Sequence, residues 1–114
     1  MHIEGPGKRV TIHLSESDRH GHALLYEAVV ELLREQGCAG ATVVKGTMGF
    51  GKASRIHTSS ILRLSEDLPV MVIFADTAER VEAVMPLVEQ MLSGGIVIVE
   101  DVQIARYSHG PSEA

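Results

Sequence analysis

The segment from Gly46 to Ser60 carries the side chains best suited to chemistry. Three glycines, Gly46, Gly49 and Gly51, accompany a run of cations and hydroxyl groups, which comprises Lys52, Ser54, Arg55, His57, Thr58, Ser59 and Ser60. Glycine amides can approach an oxyanion closely, and a guanidinium can hold phosphate through two parallel hydrogen bonds. A solvated polar loop is the alternative, but roughly 18 residues between adjacent strands are uncommon without a function. The segment predicts an anion-binding loop.

Two nucleotide-binding motifs are incomplete in this loop. Residues 46–53, GTMGFGKA, follow the phosphate-cradling pattern G-x-x-x-x-G-K, but Ala53 replaces the hydroxyl that would hold Mg²⁺. The polar run SRIHTSS stands where such an enzyme needs a long helix. The dinucleotide pattern fails as well, because Ser54 stands where a third glycine is wanted. These patterns argue against a P-loop hydrolase and a dinucleotide-binding enzyme.

The remaining reactive side chains do not form a catalytic pattern. His20 and His22 make only an H-x-H pair, which is weak support for a metal site. Cys38 follows a helix-ending glycine and is interpreted as a small buried apolar residue. Glu66 and Asp67 could work as an acid/base pair, but a solvated turn is the favoured interpretation. We predict a protein that is not an enzyme and has neither a metal site nor a required cofactor.

Hydrophobic periodicity predicts the element order β-α-β-loop-β-α-β. The predicted elements are a strand over Arg9–Leu14, a helix over Leu24–Leu33 that ends at Gly37, a strand over Ala41–Thr47, a short additional strand over Ile61–Leu64, a strand over Val70–Ala75, a helix from a capping box at Asp76–Glu79 to Leu92, and a strand over Ile96–Tyr107. Pro86 is expected to bend or split the second helix. Methionines Met71, Met85 and Met91 are assigned to the core.

This order predicts an α+β, ferredoxin-like βαββαβ fold with two helices on one face of an antiparallel sheet. The other face would be bare. Val70–Ala75 and Ile96–Val99 are apolar at every position, whereas a wet face would alternate with polar residues. A second copy of the chain is the simplest cover, so the sequence predicts an obligate symmetric oligomer.

Length and charge narrow the class of protein. The 114 residues suit one domain, 1–114, with a core over about residues 3–107, a loose lead-in and a frayed tail at 108–114. A net charge of −5 disfavours nucleic acid as a partner. One cysteine, no apolar leader at the start and no apolar run near 20 residues predict a cytoplasmic protein without membrane insertion.

Residues 46–58, GTMGFGKASRIHT, and 62–72, LRLSEDLPVMV, resemble the signature of the PII-like domain-of-unknown-function-190 family. The resemblance extends over roughly Ile3 to Tyr107 and includes the ending IVIVEDVQIARY. It implies a ferredoxin-like protomer that forms a homotrimer like the PII signalling proteins, with sheets lining the centre and helices outside. That arrangement would cover the bare sheet face.

PII relatives bind adenine nucleotides in clefts between subunits, and the mobile loop after strand two meets or releases a partner, often a membrane transporter. The resemblance therefore implies ligand-binding residues in two segments. Those matching the signalling loop are Lys45, Gly46, Gly49, Gly51, Lys52, Ser54, Arg55 and His57, and those matching a phosphate-contacting turn are Ser93, Gly94 and Gly95. PII proteins carry basic residues at that turn, whereas this chain has none between Met91 and Glu100, which favours a less charged ligand than a triphosphate.

The sequence leaves three functional hypotheses open. The first, which we favour, is a non-enzymatic trimeric sensor in which an adenine nucleotide orders the loop from Thr47 to Thr58. The second is a constitutive partner-binding protein linked to a membrane transporter and lacking a small ligand. The third is an enzyme or metal protein, which the sparse catalytic residues disfavour.

Overall fold

The computed structural model describes residues 1–50, 57–58 and 67–108. Its elements are β1 (His2–Ser15), β2 (Arg19–His20), β3 (Ala23–Leu24), α1 (Leu25–Glu35), β4 (Thr42–Lys45), β5 (Met48–Gly49), β6 (His57–Thr58), β7 (Pro69–Asp76), α2 (Ala78–Met91) and β8 (Ile96–Ser108). An antiparallel sheet has the strand order β4-β7-β1-β8, while β2 with β3 and β5 with β6 form two short ribbons. This order, with α1 and α2 on one face, confirms the predicted ferredoxin-like α+β fold.

Both helices pack on the same face of the sheet. The contact is made by alternate residues of the two central strands and by one stripe of each helix, as the predicted periods require. These buried side chains are Val10, Ile12 and Leu14 of β1, Val70, Val72 and Phe74 of β7, Leu25, Val29 and Leu33 of α1, and Val81, Val84 and Val88 of α2. Met85 and Met91 pack against this core as predicted. The core fixes the sheet from which the candidate site projects.

The opposite face of the sheet is uncovered in the single chain. Residues paired across antiparallel strands lie on one face, so the register identifies its members. They are Thr42, Val44, Met71, Ile73, Thr11, His13, Ile96 and Ile98. Ile96, Ile98 and Val44 are 60%, 42% and 39% exposed. The predicted bare apolar face is therefore confirmed, and Met71, assigned to the core from the sequence, belongs to this face instead.

The connection from β7 to α2 differs from its prediction. Thr77, and not Asp76, is the N-cap residue of α2, because its hydroxyl accepts a hydrogen bond from the Arg80 amide at 3.2 Å. Asp76 is 1% exposed, and its two carboxylate oxygens accept from the amides of Thr77 at 2.7 Å and Ala39 at 2.8 Å. Asp76 points toward the helices, so it ties α2 to the segment between α1 and β4. The capping box at Asp76 was therefore wrong.

Three further expectations need correction. Of the two outcomes expected for Pro86, the split of α2 is wrong, because the helix runs from Ala78 to Met91, and the bend stays a prediction. Cys38 is half-buried instead of buried, and burial, followed by the charge of Asp76, raises the pKa of its thiol. β1 starts at His2, so the expected loose lead-in is a strand.

The first half of β1 pairs with the second half of β8 as a two-stranded ribbon. The register shifts between Ile3 and Gly5, where Gly5 has a φ of 105° that glycine adopts without strain. The Tyr107 hydroxyl donates to the Ala39 carbonyl at 3.1 Å, which ties the ribbon to the segment after α1. The predicted strand over Ile61–Leu64 and residues 109–114 of the predicted tail lie outside the described residues. Neither α1 nor α2 in the described part of the chain is long and apolar enough to cross a membrane.

Candidate functional site

Lys45 ends β4 and stands at the base of the predicted anion-binding loop. The chain then turns at Gly46, and β5 pairs with β6 so that Gly49 lies opposite the backbone of His57. The ribbon brings the outgoing and returning parts of the loop together. The predicted binding residues Gly51, Lys52, Ser54 and Arg55 lie outside the described residues.

Gly46 and Gly49 both press against the ring of Pro69, the first residue of β7. The Gly46 amide donates to the Pro69 carbonyl at 2.7 Å. A Cβ atom added at Gly46 would stand 2.8 Å from Pro69 Cγ, and one at Gly49 would stand 3.0 Å from the same atom. These glycines therefore allow a close approach between the loop and β7, which narrows the base of the loop.

Lys45 is the cation that the described structure places at the base of the loop. Its Nζ lies 2.7 Å from Glu16 Oε2 and 5.9 Å from the centroid of the Tyr26 ring. The hydrogen bond and charge of Glu16, with a smaller contribution from Tyr26, raise the pKa of Lys45 above its ordinary value. Lys45 is therefore charged at neutral pH, and a cation over an aromatic face adds a modest attraction. The site offers a fixed positive charge beside glycine backbone.

Glu16 belongs to the connection between β1 and β2, which is attached to the end of the loop. The Glu16 amide donates to the Leu68 carbonyl at 2.9 Å. Next to it, the Ser17 hydroxyl donates to an Asp67 carboxylate oxygen. Asp67 thus connects the start of this segment to the β1–β2 connection. Glu66 lies outside the described residues, so the solvated-turn interpretation of the Glu66–Asp67 pair stays a prediction.

The second predicted segment, Ser93–Gly95, forms the exposed turn between α2 and β8. Gly95 has a φ of 97°, and a Cβ atom there would stand 2.4 Å from the His13 carbonyl oxygen. Gly94 has nothing within 4 Å of its added Cβ. The turn is therefore tight at Gly95 and open at Gly94, where a ligand could approach the backbone.

Among the described residues, a single chain does not bring the two predicted segments together. Lys45 pairs with Val70, and Val70 pairs with Leu14. Gly95 lies next to Leu14 on the β8 side of β1, since a Cβ atom added at Gly95 would stand 3.3 Å from Leu14 Cδ2. Lys45 and Gly95 thus occupy opposite edges of the sheet at the same end, about 14 Å apart from three interstrand spacings. We call these two separated segments, Lys45 with the start of the loop and the Ser93–Gly95 turn, the candidate half-sites.

Glu16 and Tyr26 are the site residues that sequence reasoning missed. Both are distant from Lys45 in sequence, and neither belongs to a recognised motif. Glu16 lies in the turn after β1, and Tyr26 lies in the first turn of α1. Pairing of β1 and β4 with the same strand, β7, brings their ends together. A topology built on the predicted strands could have indicated this proximity, but no local pattern could.

Within the described ranges, no group of three or more histidine, cysteine or carboxylate side chains is placed to hold a metal ion. The H-x-H pair, His20 and His22, lies at the β2–β3 ribbon, and both residues are exposed. The structure therefore gives the metal interpretation no supporting geometry in these ranges.

The described elements form a PII-like fold. Residues 7–104 match the family model DUF190, described as "Uncharacterized ACR". The chain belongs to this family, which confirms the resemblance seen in the sequence. The UPF0166 protein MJ1524 of Methanocaldococcus jannaschii is 34% identical over 98 residues, which cover 85% of this chain and 90% of that protein.

Solved structures of a nitrogen regulatory PII-like protein, CPII of Thiomonas intermedia K12, share the fold. CPII bound to ADP and bicarbonate is 24% identical, covers 92% of each chain and has a TM-score of 0.57. CPII bound to ADP, AMP and acetate is 26% identical, covers 90% of this chain and 92% of its own, and has a TM-score of 0.55. The likeness establishes the PII-like architecture of the protomer.

Proposed function

We propose that this protein is a non-enzymatic, PII-like regulatory protein that forms a homotrimer and binds an adenine nucleotide in clefts between subunits. In this proposal the loop over residues 47–58 reports whether the clefts are occupied. The observation that carries the proposal is the placement of Lys45 and Gly95 on opposite edges of a sheet with an uncovered apolar face. CPII, which shares the fold, was solved with ADP and AMP.

The uncovered face supports the trimer. Ile96 and Ile98 of β8 and Val44 of β4 expose apolar side chains near both edges of the sheet. Burying this face against other copies would remove it from water, at about 25 cal/mol per Å² of apolar surface. An edge of one protomer can then approach the opposite edge of its neighbour. Such an arrangement would join Lys45 of one chain to the Ser93–Gly95 turn of another.

The charges of the half-sites favour a diphosphate or monophosphate ligand. Lys45 supplies a cation at the described base of the loop, and Gly94 offers accessible backbone near the other edge. The turn from Ser93 to Gly95 contributes no cation. A phosphate-contacting turn without a cation is better matched to ADP or AMP than to ATP. The location in the cytoplasm, predicted from the sequence, is part of this proposal.

Isothermal titration calorimetry tests the proposed ligand. The purified protein is titrated with ATP, ADP, AMP, cyclic nucleotides and simple anions, and we expect heat from ADP or AMP. Replacing Lys45→Met should weaken nucleotide binding by at least about five-fold, because a phosphate loses its charged partner. Lys8→Met is the matched control, since Lys8 is paired with Asp101 away from the loop. Absence of heat with every nucleotide would remove the sensing proposal.

A second candidate function is constitutive docking on a protein partner such as a membrane transporter. Met48 and Phe50 at the start of the loop favour it, because they are 64% and 69% exposed. Large exposed apolar side chains on a loop suit a protein interface. A pull-down with and without ADP separates the two functions: capture that is the same under both conditions supports docking, and capture that depends on ADP supports sensing.

A further inference from the structure

The Lys45 ammonium, at the base of the loop, is already paired with a carboxylate. Its Nζ lies 2.7 Å from Glu16 Oε2 and over the Tyr26 ring, 5.9 Å from the ring centroid. A phosphate that binds at Lys45 must therefore meet Glu16, either as a repelling neighbour or as a competitor. Two anions cannot both take the same ammonium direction without repulsion.

We propose that Glu16 is a built-in competitor for the anionic effector, holding Lys45 while the site is empty and giving it up when a phosphate group binds. The inference rests on the proposed function, because it takes Lys45 as the phosphate contact. It assigns to Glu16 the role of a residue that sets affinity by position and charge. Nothing in the local sequence around Lys45 predicts this role.

The exposure of the pair makes the exchange feasible. The Lys45 and Glu16 side chains are 51% and 31% exposed, and exposed ion pairs contribute little net stability. A diphosphate brings more negative charge and more acceptor oxygens than one carboxylate, so it can replace Glu16. The Tyr26 ring remains under the ammonium during the exchange and keeps it at the base of the loop.

Release of Glu16 from Lys45 would affect the residues at the end of the loop. Its amide is bonded to the Leu68 carbonyl, and its neighbour Ser17 is bonded to Asp67. The turn that carries the competitor thus also holds the segment leading into β7. Exchange at Lys45 therefore acts on both the outgoing and the returning ends of the loop, which gives ligand binding a physical route to the loop.

The test is Glu16→Gln, which keeps the shape of the side chain and removes its charge. Calorimetry is performed with ADP and with inorganic diphosphate, and affinity is expected to rise about two- to five-fold, in the range of an exposed pair. Glu31→Gln is the matched control, because Glu31 also pairs with a cation, Arg34, but on α1. It should leave both affinities unchanged.

A double-mutant cycle distinguishes competition for Lys45 from general repulsion. Competition predicts that Glu16→Gln gives no gain in a Lys45→Met background, whereas general repulsion predicts the same gain in both. An equal gain in the two backgrounds, or no gain in the native background, would overturn the inference.

The outcomes also separate this inference from the proposed function. If the native protein binds ADP and Glu16→Gln binds no more tightly, the competitor role fails and the sensor stands. If the native protein binds neither probe but Glu16→Gln binds diphosphate through Lys45, the competitor role stands and the nucleotide sensor fails. If neither protein binds either probe, both fail.

Discussion

Gly95 and Gly94 are adjacent residues with opposite steric demands. Gly95 combines a φ of 97° with a position where a Cβ would stand 2.4 Å from the His13 carbonyl oxygen. Gly94 has open space around its Cα. Of these two glycines, only Gly95 is required by the turn between α2 and β8, and it immediately precedes the edge strand β8.

We expect Gly95→Ala to lower the free energy of unfolding by about 1–3 kcal/mol, because alanine there is strained and meets backbone. Urea denaturation measures the change at a fixed protein concentration, because the proposed assembly would make stability depend on concentration. Gly94→Ala is the matched control and should stay within about 0.5 kcal/mol of the native protein. Equal stability of the two variants would contradict the role of Gly95.

Residues of the candidate site differ in how far the sequence could predict them. The glycines were predicted because they belong to a contiguous segment whose composition suits an anion, whereas Lys45 was predicted from the resemblance to PII proteins. Glu16 and Tyr26 were not, since their proximity to Lys45 arises from two strands meeting on β7. Asp76 was assigned to the wrong role, because its helix-like capping pattern competes with its place as the last buried residue of β7.

At the scale of elements, Asp76 joins three parts of the fold. It ends β7, precedes α2 and accepts the Ala39 amide from the segment after α1. The Arg80 guanidinium donates to the Gln36 carbonyl nearby at 2.8 Å, so α2 contacts the end of α1 a second time. Strand and helix periods predicted the elements, but these polar ties depend on tertiary packing and have no periodic signal.

Replacing Asp76→Ala should destabilise the protein by about 2–4 kcal/mol, because two partly buried amides lose their acceptor. Asp76→Asn retains one carbonyl oxygen and should fall between Asp76→Ala and the native protein. Asp101→Asn is the control, since the Asp101 side chain is 87% exposed. Urea denaturation midpoints measure the order of stability of these variants. If Asp76→Ala were as stable as Asp101→Asn, the stabilising role of the Asp76 hydrogen bonds would be refuted.

At the scale of the whole molecule, one face of the sheet is covered by the two helices and the other face is uncovered. Hydrophobic runs in β7 and β8 predicted this arrangement, since a strand that is apolar at every position needs cover on both sides. The sequence pattern could not by itself specify how many copies provide the cover. The number of chains depends on the angle at which the sheets of neighbouring copies meet. The hydrophobic period of one chain carries no information on that angle.

Ile98→Asp should dissociate the proposed trimer, because it would place a charge within the uncovered apolar face of β8. Light scattering coupled to size exclusion should show a shift from three-chain mass toward one-chain mass. Ala83→Asp is the control, as Ala83 is exposed on α2, away from the sheet face. A native protein with one-chain mass at micromolar concentration would exclude the trimer.

The opposite-edge placement of Lys45 and Gly95 has a consequence for how signals combine. In a closed ring, each chain would lend its β4 edge to one neighbour and its β8 edge to the other, so every chain would belong to two pockets. The two edges are joined by the backbone hydrogen bonds of β7 and β1. A shift caused by one bound molecule would thus pass through the hydrogen-bonded sheet to the adjoining pocket. Cooperative binding would then need no additional structural element to link the pockets.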